Sequence, residues 1–203
     1  PIAAQRWSFN QPNPLLPGSE LKGGASITNG ALQLPNAGAF LQSAPLPKDI
    51  RERTLEAWVS LADLNQRGGA AISIETDDGS RFDAIVYGER QPRKWMAGSG
   101  GFERTQDLDA PEESAAPGEW VHLVAVYRPD NSIALYRNGV PYGQSYTPGS
   151  PLQTYSAGRA HVVLGLRHKG GGSPWLTGAI RQAAIHDRAL GPEEISNLFR
   201  RSE

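Results

Sequence analysis

Residues 119–143, EWVHLVAVYRPDNSIALYRNGVPYG, constrain this chain more than any other stretch, because the turns are spelled out between the strands. Residues 120–127 are a run of Val, Leu, Ala, His and aromatic side chains, which suit a pleated, half-buried surface. Arg128-Pro129-Asp130-Asn131 breaks that run. Proline presets φ for a turn, and Asp and Asn side chains bond back to nearby backbone. Residues 132–137 alternate again, and Asn138-Gly139 supplies the two positive-φ positions of a tight hairpin. Three consecutive antiparallel strands at the middle of a chain predict an all-β domain.

Further strands are expected at 6–9, 31–34, 39–43, 54–61, 70–75, 81–87, 161–167 and 176–186, with Asp77-Asp78-Gly79 as a hairpin turn. The chain closes on a short helix. Gly191 stands at its cap, Pro192 in the first turn, and Glu193 and Glu194 near its positive end. Ile195, Leu198 and Phe199 share one face and should dock on the sheets. Two connections, 98–118 and 145–158, are longer than turn chemistry needs, and long loops on a rigid scaffold are where binding usually lives. No repeat or linker divides the chain, so residues 1–203 are expected to form one domain.

Bulk properties narrow the partners. Twenty basic and 21 acidic residues nearly cancel, which leaves no basic field for nucleic acid or an anionic membrane. No run approaches the ~18 apolar residues of a membrane span. Zero cysteines exclude disulfides and thiolate metal sites. The start at Pro1, with no signal peptide in view, is expected of an excised domain or a processed product.

Several segments resemble the laminin-G-like branch of the concanavalin A-like lectin/glucanase superfamily. Trp120-Val121-His122-Leu123-Val124-Ala125 and Leu135-Tyr136-Arg137-Asn138-Gly139 match its central meander. Thr54-Leu55-Glu56-Ala57-Trp58-Val59 is similar to its early strand, and residues 176–195 to its closing strand and terminal helix. Trp7-Ser8-Phe9 fits the opening strand. The resemblance implies an antiparallel β-sandwich (jelly roll) with a short C-terminal helix, and it implies core positions for Trp7, Trp58 and Trp120. It does not fix a function, since this fold hosts lectins, hydrolases, adhesion modules and spacers.

Catalysis finds little support. Glucanases of the superfamily place two acids on one strand in a Glu-x-Asp-x-x-Glu pattern, and this chain has none. There is no Gly-x-Ser-x-Gly elbow, and His122, His161, His168 and His186 lack metal-ligand spacing. Many relatives hold a structural Ca²⁺ through an acid after Trp-x-Phe and an Asp-Glu in the closing strand. Here those positions are Asn10 and Arg181-Gln182, so no cofactor is expected and the Arg181 guanidinium should take the metal's place. Asn10, Asp77 and Asp78 remain as the alternative oxygen donors.

For a sugar, the residues of interest are aromatics set among polar and Gly/Pro neighbours. Trp95 and Trp175 fit that description and should be at least partly exposed, with Tyr142, Tyr146 and Tyr155 completing a stacking platform. Arg93, Lys94, Arg159, Arg167, His168 and Lys169 should add a local basic rim; Arg93 and His168 are the candidate ligand contacts. The expected function is a non-catalytic glycan-binding module of a larger exported bacterial protein, acting outside the cytoplasm beside other domains of its parent chain. The alternatives are a structural or protein-interaction module and, more distantly, a divergent glycoside hydrolase.

Overall fold

Alternation of inward apolar and outward polar side chains sorts most of the chain into strands, whose inward faces close on one another. The computed structural model describes residues 1–202. In chain order these form β1 (Gln5–Ser8), β2 (Glu20–Lys22), β3 (Ser26–Thr28), β4 (Ala31–Leu34), β5 (Phe40–Gln42), β6 (Arg53–Leu61), β7 (Ala70–Thr76) and β8 (Phe82–Tyr87). Then come β9 (Trp95–Ser99), β10 (Val121–Tyr127), β11 (Ile133–Arg137), β12 (Val140–Pro141), β13 (Ala160–Leu164), β14 (Gly178–His186) and helix α1 (Pro192–Arg201).

The larger sheet runs β12-β11-β10-β6-β14-β4-β3, with β1 beside β14, and the smaller runs β2-β5-β13-β7-β8-β9. All named pairings are antiparallel. The expected β-sandwich with a short C-terminal helix is therefore what the chain forms. Between the sheets, Leu55, Ala57 and Val59 of β6 meet Ile72 and Ile74 of β7, Leu123 and Ala125 of β10, and Val162 and Leu164 of β13. Each buried Leu, Ile or Val among them contributes about 1.5–3 kcal/mol by leaving water. Trp7 is buried in the same core. The β11–β12 turn has Asn138 at φ 50° and Gly139 at φ 79°, the left-handed pair its sequence predicts.

Three strands were not expected. β2 and β3 are three residues each, too short for a periodic signal. β9, Trp-Met-Ala-Gly-Ser, carries a glycine and is held by pairing with β8 along its full length. Trp120 also differs from expectation. It lies just before β10 and is only half-buried, with the Arg181 guanidinium 5.3 Å from its ring centroid.

The outer faces are both covered. On the larger sheet, α1 buries Ile195 and Leu198 against Val124, Val126 and Tyr136, and Phe199 stacks on Trp58 at 5.6 Å and 18°. Gly191 N–H donates to Glu194 Oε2 at 2.9 Å, which anchors the helix start. On the smaller sheet, Ala70, Phe82, Ala84, Val86 and Met96 form a smooth apolar floor. The segment after β13 folds across it. The His168 imidazole stacks on Phe82 at 4.2 Å and 8°, Lys169 N–H donates to Glu75 Oε2 at 2.9 Å, and Trp175 packs on Phe40 at 5.6 Å.

Candidate functional site

At one end of the sandwich an ionic cluster lies between the sheets. The pleat that turns Ala84 outward turns its neighbour Asp83 inward, where it is fully buried. Arg53 from β6 pairs with Asp83 Oδ2, the Tyr155 hydroxyl donates to the same oxygen at 2.8 Å, and Arg104 Nε donates to Oδ1 at 2.9 Å. The Arg53 guanidinium also lies over the Tyr127 and Tyr155 rings, at 4.5 and 4.8 Å. Burial, reinforced by the Asp83 charge, pushes both of those phenols well above their usual range. Tyr146 closes the cluster by donating to the Arg104 carbonyl at 2.8 Å. Two guanidiniums thus share one carboxylate.

Arg104 also lines an open cleft of about 530 Å³, together with Ser80, Arg81, Glu103, Ser150 and Gln153. A second cleft of about 350 Å³ reaches Asp78, Phe82, Glu89, Arg167, His168 and Lys169. Both include Ser80, Gly100 and Gly101, so they lie on the two sides of one turn. That turn is Gly100-Gly101-Phe102. Gly101 has φ 62° and Phe102 φ 56°, and Phe102 is 44% exposed, with the Arg90 guanidinium 5.0 Å from its ring. A left-handed φ on an aromatic residue costs roughly 1–2 kcal/mol, and strain of this kind gathers at ligand sites. Both long loops and the β7–β8 hairpin contribute to this rim.

The residues expected to form a stacking platform are elsewhere. Trp95 is 1% exposed, and its Nε1–H donates to Glu113 Oε2 at 2.7 Å. Tyr142, Tyr146 and Tyr155 are buried, and Tyr142 donates to the Pro111 carbonyl at 2.6 Å. The expectation of exposed rings is therefore corrected for these four. Polar neighbours along the chain do not expose a ring whose strand or bridge turns it inward: Trp95 enters β9, and Tyr146 and Tyr155 are held by isolated bridges to Ile133 and Ile50. Trp175 is half-buried against Phe40. Arg93 donates to Asn65 Oδ1 at 2.8 Å and lines neither cleft.

His168 does line the smaller cleft. Burial lowers its pKa, with nearby Arg167 adding to the effect, and its Nδ1–H donates to the Gly79 carbonyl at 3.1 Å. Asp78 lines the same cleft, but Thr76 and Ser80 donate to it and hold its carboxyl down to about 2. Asn10 is exposed and follows β1 of the larger sheet, whereas Asp77 and Asp78 belong to the β7–β8 hairpin of the smaller. Among the described residues no three His, Asp or Glu side chains gather as a metal site. Arg181 sits at a bulge in β14, its guanidinium 4.0 Å from the Trp58 ring centroid and its Nη2 donating to the Ser202 carbonyl at 3.0 Å.

The buried acids are committed to partners. Glu56 accepts from His122 and His186 at 3.0 Å each, Glu75 from His161 at 2.7 Å, and Glu113 from Arg137 at 2.5 Å. Phe102, Arg81, Glu103, Arg104 and Gln153 were not singled out from the sequence. Phe102, Glu103 and Arg104 follow the Gly-rich start of one long loop and Gln153 lies in the other, which was the signal for these four; Arg81 beside the Asp77-Asp78-Gly79 turn had none.

Comparison with known proteins agrees with this architecture. Residues 26–196 match the laminin-G family described as the concanavalin A-like lectin/glucanases superfamily. No curated protein sequence matches the chain. Among solved structures, domain 4 of AbnA, a GH43 extracellular arabinanase from Geobacillus stearothermophilus in complex with arabinotriose, is similar at TM-score 0.73 and 18% identity over 97% of each chain. Trypanosoma rangeli sialidase in complex with sialic acid is similar at TM-score 0.59 and 17% identity, over 89% of this chain and 29% of that one. The CBM40 of Ruminococcus gnavus IT-sialidase, bound to α2,3-sialyllactose, gives TM-score 0.55 and 12% identity over 74% and 83%.

Proposed function

This chain belongs to the concanavalin A-like lectin/glucanases superfamily, and we propose that it is a non-catalytic carbohydrate-binding module working beside the other domains of an exported bacterial protein. The observation that carries the reading is Phe102: an exposed aromatic ring, held in a strained conformation, that lines the smaller cleft and follows the two glycines shared with the larger. A sugar face stacks on such a ring, while Ser, Arg, Glu and Gln side chains on both sides bond its hydroxyls. Two of the similar folds carry a saccharide in their structures, arabinotriose in one and sialyllactose in the other.

The non-catalytic reading draws on the acids. Glu56, Glu75, Asp83 and Glu113 are buried in pairs with cations or imidazoles, and none of them is free for proton transfer. One observation favours a protein-interaction module instead. The outer floor of the smaller sheet is made of Ala, Val and Met with Phe82 as its single aromatic residue, not the aromatic row a sugar-binding sheet presents, and the His168 imidazole already stacks on that ring.

The test is a glycan array on the domain, followed by titration of any hit against Phe102→Ala. Binding that falls about tenfold or more in the variant supports the module and its site. A blank array with a folded sample would remove the carbohydrate reading, and the interaction reading would replace it.

A further inference from the structure

The ionic cluster beside the larger cleft is unbalanced. Arg53 and Arg104 bring two positive charges into the interior and Asp83 supplies one negative, with all three side chains no more than 2% exposed. Arg104 uses Nε on Asp83 and Nη2 on the Phe82 carbonyl, at 2.9 and 3.3 Å. Its Nη1 is buried and makes no hydrogen bond. The nearest anion is Glu103, whose Oε2 lies 3.6 Å away, within ion-pair range but too far to bond, on a side chain that is 57% exposed. Gln153 Oε1 is a second buried atom without a partner, and it belongs to the same cleft. One wall therefore holds a donor that lacks an acceptor and an acceptor that lacks a donor. Exposed Arg81 adds a cation at the mouth.

We propose that this cleft takes the carboxylate of an acidic saccharide, an inference that rests on the carbohydrate-module reading above. The ligand carboxylate displaces the loosely held Glu103 carboxylate, accepts from Arg104 Nη1 and meets Arg81. A neighbouring ligand hydroxyl donates to Gln153 Oε1. A neutral sugar satisfies only the second of these, so the cleft discriminates by charge. Phe102, across the shared turn, supplies the stacking surface.

The experiment titrates the domain with two pairs of probes: trigalacturonate against its methyl ester, and sialyllactose against lactose. Within at least one pair the acidic member should bind about tenfold more tightly at low salt, an advantage that shrinks as salt rises. Glu103→Gln should widen the acidic-over-neutral affinity ratio about threefold and Arg81→Ala should narrow it about threefold. Both positions are on the surface, so neither variant threatens the fold as a change at Arg104 would. Equal binding within both pairs overturns the carboxylate inference and leaves the module reading standing. Acidic preference that survives both variants intact also overturns it, because the site then lies elsewhere. If none of the four probes binds, the inference fails, and the glycan array decides the module reading separately.

Discussion

Two of the protein's buried ionic clusters are built to opposite ends. Under the C-terminal side, on the outer face of the larger sheet, Glu56 receives His122 on one oxygen and His186 and Arg6 on the other, at 3.0, 3.0 and 3.2 Å. Both oxygens of that carboxylate have donors, and it borders the face that α1 seals. At the opposite position, Asp83 sits between the sheets with two arginines, and the surplus guanidinium borders an open cleft. A closed cluster with its charge answered locally holds strands in register. An open cluster with charge left over has something to offer a ligand.

The most forceful way to break it is Asp83→Asn. Removing the shared carboxylate leaves two buried guanidiniums unanswered, which should cost about 3–5 kcal/mol in urea unfolding at neutral pH. A loss under 1 kcal/mol would mean the arginines are already compensated by solvent in the cleft, and the contrast between the clusters would collapse.

Glu56→Gln comes next, and its signature is in pH. Burial alone would raise the Glu56 carboxyl, but the hydrogen bonds from His122 and His186 and the charge of Arg6 hold it well below its ordinary 4.5. A depressed folded pKa gives stability that is full above 4.5 and fades as pH falls toward the folded value. The wild-type protein should therefore lose stability below about pH 4.5 more steeply than Glu56→Gln, which should be about 2 kcal/mol weaker at neutral pH. Parallel acid profiles for the two proteins would show that the closed cluster does not contribute in this way.

The smallest effects sharpen the site itself. Phe102→Gly should raise stability by roughly 1 kcal/mol, since glycine accepts the left-handed φ without strain, while saccharide binding falls. Trp175→Ala should cost about 1–2 kcal/mol for lost packing on Phe40 and leave binding unchanged. Binding lost at Trp175 and kept at Phe102 would move the site to the edge of the smaller sheet.

The fold was legible because its signals are local. Asn138-Gly139 writes a turn, residues 120–127 write a strand, and Gly191-Pro192 writes a helix start, each within a few residues. Trp58 and Trp7 were placed inside by the strand motifs that carry them, and both are buried. The site was legible only to the level of a loop. Residues 98–118 and 145–158 were expected to matter, and both reach the clefts. Which aromatic would be exposed was misread, because polar and Gly/Pro neighbours along the chain do not decide which way a ring turns. Trp95 pairs with Tyr87 across β8–β9 and turns inward, whereas Phe102 follows two glycines past the strand's end and turns out.

By itself, the sequence determined the longer strands other than β9, their turns, the terminal helix and the absence of thiol chemistry, since propensity, turn conformation and composition act over short range. Only the tertiary structure decided that Arg53, Asp83 and Arg104 meet, that Glu56 gathers His122 and His186, and that two distant loops share one rim. Those encounters join residues 21 to 130 positions apart, and no local pattern records a charge balance that sheet pairing alone creates.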